Sequence, residues 1–264
     1  MKPTRRALLL APALAAFAAA RPARAAALDV LRQSGRLTVG VLKDFPPFGS
    51  LNKDGDPVGF EVDVAALIGR HLSVRVDYVL LTAGERIGAL QEDRVDVIAA
   101  QFGVTTARAV SAAFATPHLV TECGLFAAKG RALARTEDIT GLRLGVVWGS
   151  PADLYLTNLA GQAAEILRYE TDTDVFAALA NGEVDAISQA VLGGAAYMAA
   201  HPDADIQQKL VLFSAANALA VRPDAMALRQ WLSTFVLFTR QTGELDTIWE
   251  RWLGRKLPAE MPVL

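Results

Sequence analysis

The chain has 264 residues, of which 52% are hydrophobic and 20% charged, with a formal net charge of −2. That is the make-up of a folded protein of one large or two small domains. It excludes a disordered chain and a collagen-like repeat.

The first 25 residues, MKPTRRALLLAPALAAFAAARPARA, read as an export signal: Lys2, Arg5 and Arg6, an apolar run from Ala7 to Ala20, and Ala23-Arg24-Ala25 as a small-x-small cleavage site. The run is shorter than the ~20 residues a membrane-spanning helix needs, no second such run follows, and a fused membrane sensor is not expected. Arg5-Arg6 after Thr4, with Arg21 and Arg24 near the cleavage site, resembles a twin-arginine signal. A general secretory signal that contains two arginines is the alternative, and either route leads to the periplasm. Cleavage leaves 21 basic against 28 acidic residues, a net charge of −7, which argues against nucleic acid or an anionic membrane as partner. The single cysteine, Cys123, lies far from the cleavage site, so neither a lipid anchor there nor an intrachain disulfide is possible, and a free buried thiol is expected.

The mature chain opens with RLTVGVL (36–42) as a strand and EVDVAALIGRHL (61–72) as a helix. VRVDYVLL is the next strand, AGERIGALQED the next helix and RVDVIAA the third strand, which is the alternation of a mostly parallel sheet covered by helices. After Phe114 the pattern stalls in ATPHLVTECGLFAAKG, and a second series starts at GLRLGVVWGSPADLYLTNL. The second series echoes the first: ALQEDRVDVIAAQ matches ALANGEVDAISQA, and RLTVGV resembles LRLGVV. Two copies of one α/β lobe explain both. The C-terminal part has one strand-like run and two helices, the last beginning after Gly243 with Leu245, Ile248, Trp249 and Trp252 on one face.

FPPFGSLNKDGDPVGFEVDVAALIG, ALQEDRVDVIAA, TTARAVSAAFATP, GLRLGVVWGS and TGELDTIWERWLG together resemble the family 3 solute-binding proteins, periplasmic receptors that deliver polar amino acids and related compounds to ABC importers. The resemblance spans the mature chain and implies an α/β, two-lobed periplasmic-binding-protein fold. Each lobe is a mostly parallel sheet flanked by helices, and two crossing strands near 119–123 and 211–217 join them and close the lobes like a hinge. Residues 26–119 plus 217–264 are then lobe 1, and 120–216 lobe 2. The implied partners are a small carboxylate-bearing ligand and an inner-membrane ABC permease. A monomer is expected, and no cofactor or metal is implied.

The resemblance gives Arg108, which closes the Thr-x-x-Arg stretch, the task of pairing with a ligand carboxylate, and a planar, always-charged guanidinium suits that task. Without the resemblance, an arginine at a helix start reads as solvated. Gly103 and Thr105 sit where the family presents backbone groups to the ligand, and Gln101 adds a side-chain amide. Ser150 is placed as N-cap and Pro151 as first residue of a helix whose N-terminus favours an anion; simple capping is the plainer reading. Relatives often have Ser or Thr where this chain has Pro151, so one N–H donor is missing. Phe45 is implied as an aromatic wall over the ligand, Trp148 as the opposite wall, and Phe48 as core. Leu42 stands where receptors for cationic side chains have an acid.

Relatives that bind amino acids have an aspartate for the ligand's ammonium at the position of Ala190 here. A buried ammonium without a partner is costly. Either another carboxylate substitutes, with Glu122, Asp44 and Asp172 as candidates, or the ligand carries no ammonium. The same scaffold also supports cyclohexadienyl dehydratases, which makes a periplasmic enzyme the alternative from another class. His71, His118 and His201 show no spacing of a dyad or metal site, and no phosphate loop or catalytic triad is recognisable.

Overall fold

The computed structural model describes residues 27–161 and 163–257, so the export signal read over 1–25 lies outside the described residues. The chain runs α1 (Ala27–Ser34), β1 (Arg36–Leu42), β2 (Asp44–Phe45), β3 (Gly49–Leu51), β4 (Pro57–Val58), α2 (Phe60–Leu72), β5 (Arg75–Leu81), α3 (Glu85–Gln91), β6 (Val97–Ile98) and β7 (Ala113–Ala127). It continues as β8 (Arg143–Val147), α4 (Pro151–Ala160), β9 (Glu165–Tyr169), α5 (Asp172–Ala180), β10 (Ala186–Ala190), α6 (Val191–Ala200), β11 (Gln207–Val221), α7 (Met226–Gln241) and α8 (Glu244–Leu253). Among the described residues no helix is long and apolar enough to cross a membrane.

One eight-stranded sheet carries the molecule in the order β5-β1-β6-β11-β7-β10-β8-β9, and β2, β3 and β4 form a small sheet of their own. β5, β1 and β6 are parallel, as are β10, β8 and β9. Each triple is a β-α-β-α-β unit whose first strand lies in the middle, so the sequence echo between the two series corresponds to one arrangement built twice. The central strands are buried on both faces, which is why RLTVGVL and RLGVV are nearly unbroken apolar runs.

Between the triples, the 15-residue strands β7 and β11 pair antiparallel from Gln207↔Ala127 to Val221↔Ala113. The sequence here reads only as a stall with a crossing near 119–123, because Pro117 and the polar His118, Thr121 and Glu122 break the apolar run. Pro117 pairs with Ala218 beside a register shift, a place where a missing N–H costs little. The third strand is shorter than RVDVIAA suggests, since the chain leaves the sheet after Ile98 and Gln101 adopts a left-handed φ of 46°.

The apolar core is divided in the same way. One large cluster gathers β1, α2, β6, α7 and α8 around the fully buried Trp249 and Phe60. Two smaller clusters lie on the other side of the crossing, one around Leu144 and Leu156 and one around Val175 and Ile187. Leu245, Ile248 and Trp249 of α8 are buried as their spacing predicts, while Trp252 is half-buried and donates to Asp63 at 2.7 Å.

Candidate ligand-binding site

The cleft between the two β-α units is where the loops after β1, β6, β8 and β10 converge, at the carboxyl ends of the parallel strands where open α/β sheets bind ligands. Its inner cavity is lined from one side by Leu42, Phe45, Arg86 and Gln101, and from the other by Ser150, Pro151, Asp172, Gln189 and Ala190. The walls are in contact. About 20 Å³ remains, room for about one water.

Two arginines dominate the first wall. Arg86, on α3, is completely buried; its Nε donates to the Ala83 carbonyl at 2.6 Å, Nη1 to the Ala100 and Gln101 carbonyls at 3.0 Å, and Nη2 across the cleft to the Gly149 carbonyl at 3.0 Å. Arg108, 5% exposed, opens a single 3₁₀ turn; Nη1 donates to the Gly103 carbonyl at 2.6 Å and Nη2 to the same Gly149 oxygen. Both guanidiniums also lie near the Phe102 ring, that of Arg86 5.1 Å and that of Arg108 4.8 Å from its centroid. All the acceptors these hydrogen bonds supply are main-chain carbonyls. Burial, together with the neighbouring Arg108, pushes Arg86 well below its ordinary pKa. Burial lowers Arg108 to about 10, with Asp153 acting in the opposite sense. A guanidinium keeps its proton inside proteins, so both side chains are cations.

Gln101 lines the cavity from its strained left-handed position, where its N–H donates to Glu61 Oε1 at 2.8 Å. Glu61 in turn holds His118 Nε2 at 2.7 Å, both groups being buried in the large core. His118 is thus a buried structural partner in this wall and does not line the cavity. Gly103 bridges to Asn217 of β11, and a Cβ there would stand 2.9 Å from Pro151 Cγ and 3.1 Å from Arg108 Nη1. Only a glycine lets the two walls meet at this point. Thr105 does not line the cavity; its Oγ1 accepts the Arg108 N–H at 3.2 Å and so caps the turn that presents Arg108.

On the second wall, Ser150 caps α4, its Oγ accepting the Asp153 N–H at 3.1 Å, and Pro151 is the first helical residue. Asp153 accepts the Gly149 N–H at 3.0 Å and Arg168 Nε at 2.9 Å, which fixes the loop that carries the Gly149 carbonyl. Phe45, 4% exposed, reaches across the cleft onto α6: a Cβ on Gly193 would lie 2.4 Å from its Cε2. Trp148 is 57% exposed and stands outside the inner cavity, at its mouth, over Arg168 and against Gly84; with Phe102, Arg108 and Leu154 it lines an outer hollow of about 250 Å³. Cys123 is a free, buried thiol in the cavity floor, raised to about 12 by burial.

Of the three carboxylates considered for the ligand's ammonium, Glu122 is exposed in a separate hollow with Arg255. Asp172 lines the cavity beside Ala190, and Asp44 lies next to it on β2. Arg86 and Gln189 line the cavity, a place to which sequence reasoning assigned neither. Arg86 carried one signal: it shares a helix face with Ala89 and Leu90, three and four residues on, where a solvated arginine does not belong.

A model of the bacterial extracellular solute-binding proteins, family 3, matches residues 37–255, and the chain belongs to that family. It is similar to the L-cystine-binding protein TcyJ of Escherichia coli, 24% identical over 86% of both chains, and to the ABC transporter arginine-binding protein 1 of Escherichia coli, 22% identical over 82% of this chain and 90% of that one. Among solved structures, an ancestral arginine-binding protein bound to arginine superposes with a TM-score of 0.80 at 28% identity, covering 83% of this chain and 99% of the other. The cysteine-binding protein of Campylobacter jejuni gives 0.80 at 26%, covering 89% and 96%. An ancestral amino acid-binding protein described as a precursor of cyclohexadienyl dehydratase gives 0.78 at 23%, covering 86% and 99%, a likeness of fold.

Proposed function

We propose that this protein is a periplasmic receptor that closes around a small amino acid or analogue through its carboxylate and presents it to an inner-membrane ABC permease. Residues 26–119 with 217–264 act as one lobe and 120–216 as the other, hinged at β7 and β11. The observation that carries the reading is the pair of buried guanidiniums, Arg86 and Arg108, converging on one carbonyl, that of Gly149. A neutral carbonyl compensates two buried positive charges poorly, and a carboxylate compensates them well. When the lobes part, the guanidiniums lose their acceptor on the far wall. A ligand carboxylate takes its place, with Gln101, the Gly103 backbone and the Ser150-capped helix N-terminus around it and Phe45 and Leu42 against the side chain. Leu42 and Phe45 in the cavity wall favour an uncharged side chain over a strongly cationic one.

The experiment is a thermal-shift screen of refolded, ligand-free mature protein against the standard amino acids, L-cystine, dicarboxylates and keto acids. A ligand at 100 times its Kd adds roughly 2.7 kcal/mol, about 5–10 °C at this size. No shift with any carboxylate contradicts the reading.

One feature favours a second reading, a dehydratase-like enzyme: burial in the cleft pushes the Asp172 carboxyl up to about 8, in the range of a general acid. Incubation with a cyclohexadienyl carboxylate, followed by the ultraviolet absorbance of an aromatic product, decides between the two. We take the receptor to be the function and expect no turnover.

A further inference from the structure

Asp172 is the first residue of α5, behind the N-cap Thr171, and is 9% exposed. Its Oδ1 accepts Gln189 Nε2 at 2.6 Å, so the residue next to Ala190 in sequence orients the carboxylate. α5 packs on β2, and Asp44 comes from that strand on the opposite wall. Asp44 Oδ2 is buried and has no hydrogen-bond partner. Asp172 thus lines the cavity that holds Arg86 and lies beside Arg108, and Asp44, on the other wall next to that cavity, is close enough for its charge to act on Asp172. A carboxylate-binding pole and a carboxylate pole together match a zwitterion.

On the reading of this cleft as a carboxylate-binding site, we propose that Asp172, with Asp44 opposite, is the ammonium-binding group of this protein. The task served in relatives by an aspartate at the Ala190 position is then carried by the start of α5, and the ligand is an α-amino acid rather than an amine-free acid. The titration of the pair supports this. Burial, then the charge of Asp44, raises Asp172 to about 8, against the lowering effects of Gln189 and Arg86. Burial also raises Asp44, partly offset by Lys43 and by the main-chain N–H of Asp172, while Asp174 adds to the rise. Arg108, the neutral Cys123 thiol, Glu61 behind Arg86 and Asp153 near Arg108 are the other charged and titratable groups around the cavity. An ammonium set between the two acids displaces the Asp172 proton, so binding releases protons below pH 8.

The test is calorimetric titration of the mature protein at pH 6, 7 and 8, each pH in two buffers of different ionisation enthalpy. The probes are the standard amino acids and L-cystine, with deamino counterparts: 5-guanidinopentanoate for L-arginine, 3-mercaptopropionate for L-cysteine, 3,3′-dithiodipropionate for L-cystine and glutaramate for L-glutamine. The expected result is an amino acid bound about 100-fold more tightly than its deamino counterpart, with proton release at pH 7 and affinity rising about tenfold from pH 6 to 7. Asp172→Asn is expected to abolish the preference and the proton release while leaving the counterpart's affinity unchanged. An amino acid bound equally well by Asp172→Asn, or deamino acids bound as well as amino acids by the wild type, overturns the assignment and leaves the receptor reading standing. Binding of no probe overturns both. Should Asp172→Asn lack a cooperative melt, Asp44→Asn serves instead: a loss of about tenfold confined to amine-bearing probes is expected, and unchanged affinity overturns the proposal.

Discussion

The two β-α-β-α-β units share their strand order yet contribute opposite chemistry to the cleft. The first, β5-β1-β6, brings two guanidiniums and an aromatic ring, each braced inside one continuous core. The second, β9-β8-β10, brings a helix N-terminus, a carbonyl and a carboxylate from a sheet whose two faces carry separate, smaller cores. Repetition of the scaffold fixes where loops meet, and the residues at the strand ends decide what they bind. The core difference also has a dynamic consequence. The first unit, wrapped by α7 and α8, is expected to be the more rigid, and the second to open locally more readily. Hydrogen exchange is expected to be slower in β1 and α2 than in β8 and α4, and equal protection would remove the distinction.

Substitutions that break the comparison rank by the number of partners they strand. Arg86→Ala leaves the Ala83, Ala100 and Gln101 carbonyls without the Arg86 donor and the Gly149 carbonyl with Arg108 alone, and is expected to cost about 3 kcal/mol of stability by denaturant melt, besides ligand affinity. Gly103→Ala and Gly193→Ala spare each unit's core and strike the contact between walls, at Pro151 and Phe45. Overpacking of this kind costs about 1–3 kcal/mol, a ~5–150-fold weaker ligand, with the unliganded melting temperature nearly unchanged. Ser150→Ala removes the α4 cap for about 1 kcal/mol, or ~2–4 °C. Trp148→Ala, at an exposed position, is expected to stay within about 0.5 kcal/mol of wild type in stability.

The raised Asp172 carboxyl sharpens the contrast by pH. Unfolded, it titrates near the ordinary aspartate value of 3.8; folded and unliganded, burial raises it to about 8. Between those values the native state holds the extra proton, so stability falls as pH rises from about 4 to 8. Asp172→Asn removes that part of the slope in melting curves taken across the range, and an identical slope in the variant would exclude it.

The sequence made much of this architecture legible, because β1, α2 and α8 carry unbroken periodic patterns and the doubled series exposes the pseudo-repeat. Arg108 stood out through its Thr-x-x-Arg setting, Ser150 through its place before proline. Arg86 did not, since a helical arginine beside Glu85 reads as solvated until tertiary packing covers its face. β7 was obscured because a strand crossing between two units has no single inward face and so no clean alternation. Thr105 and Trp148 were legible as neighbours of the cleft, but whether a neighbour lines the cavity or braces and caps it depends on side-chain direction. That direction is set by contacts distant in sequence, such as Trp148 against Gly84.

The central claim is that the paired guanidiniums hold a ligand carboxylate, and calorimetry of wild type beside Arg108→Ala, with the amino acid giving the largest thermal shift, tests it most directly. Loss of a charge-assisted contact is expected to weaken binding by about 10- to 150-fold while the variant keeps a cooperative melt. Full affinity in Arg108→Ala would contradict the account.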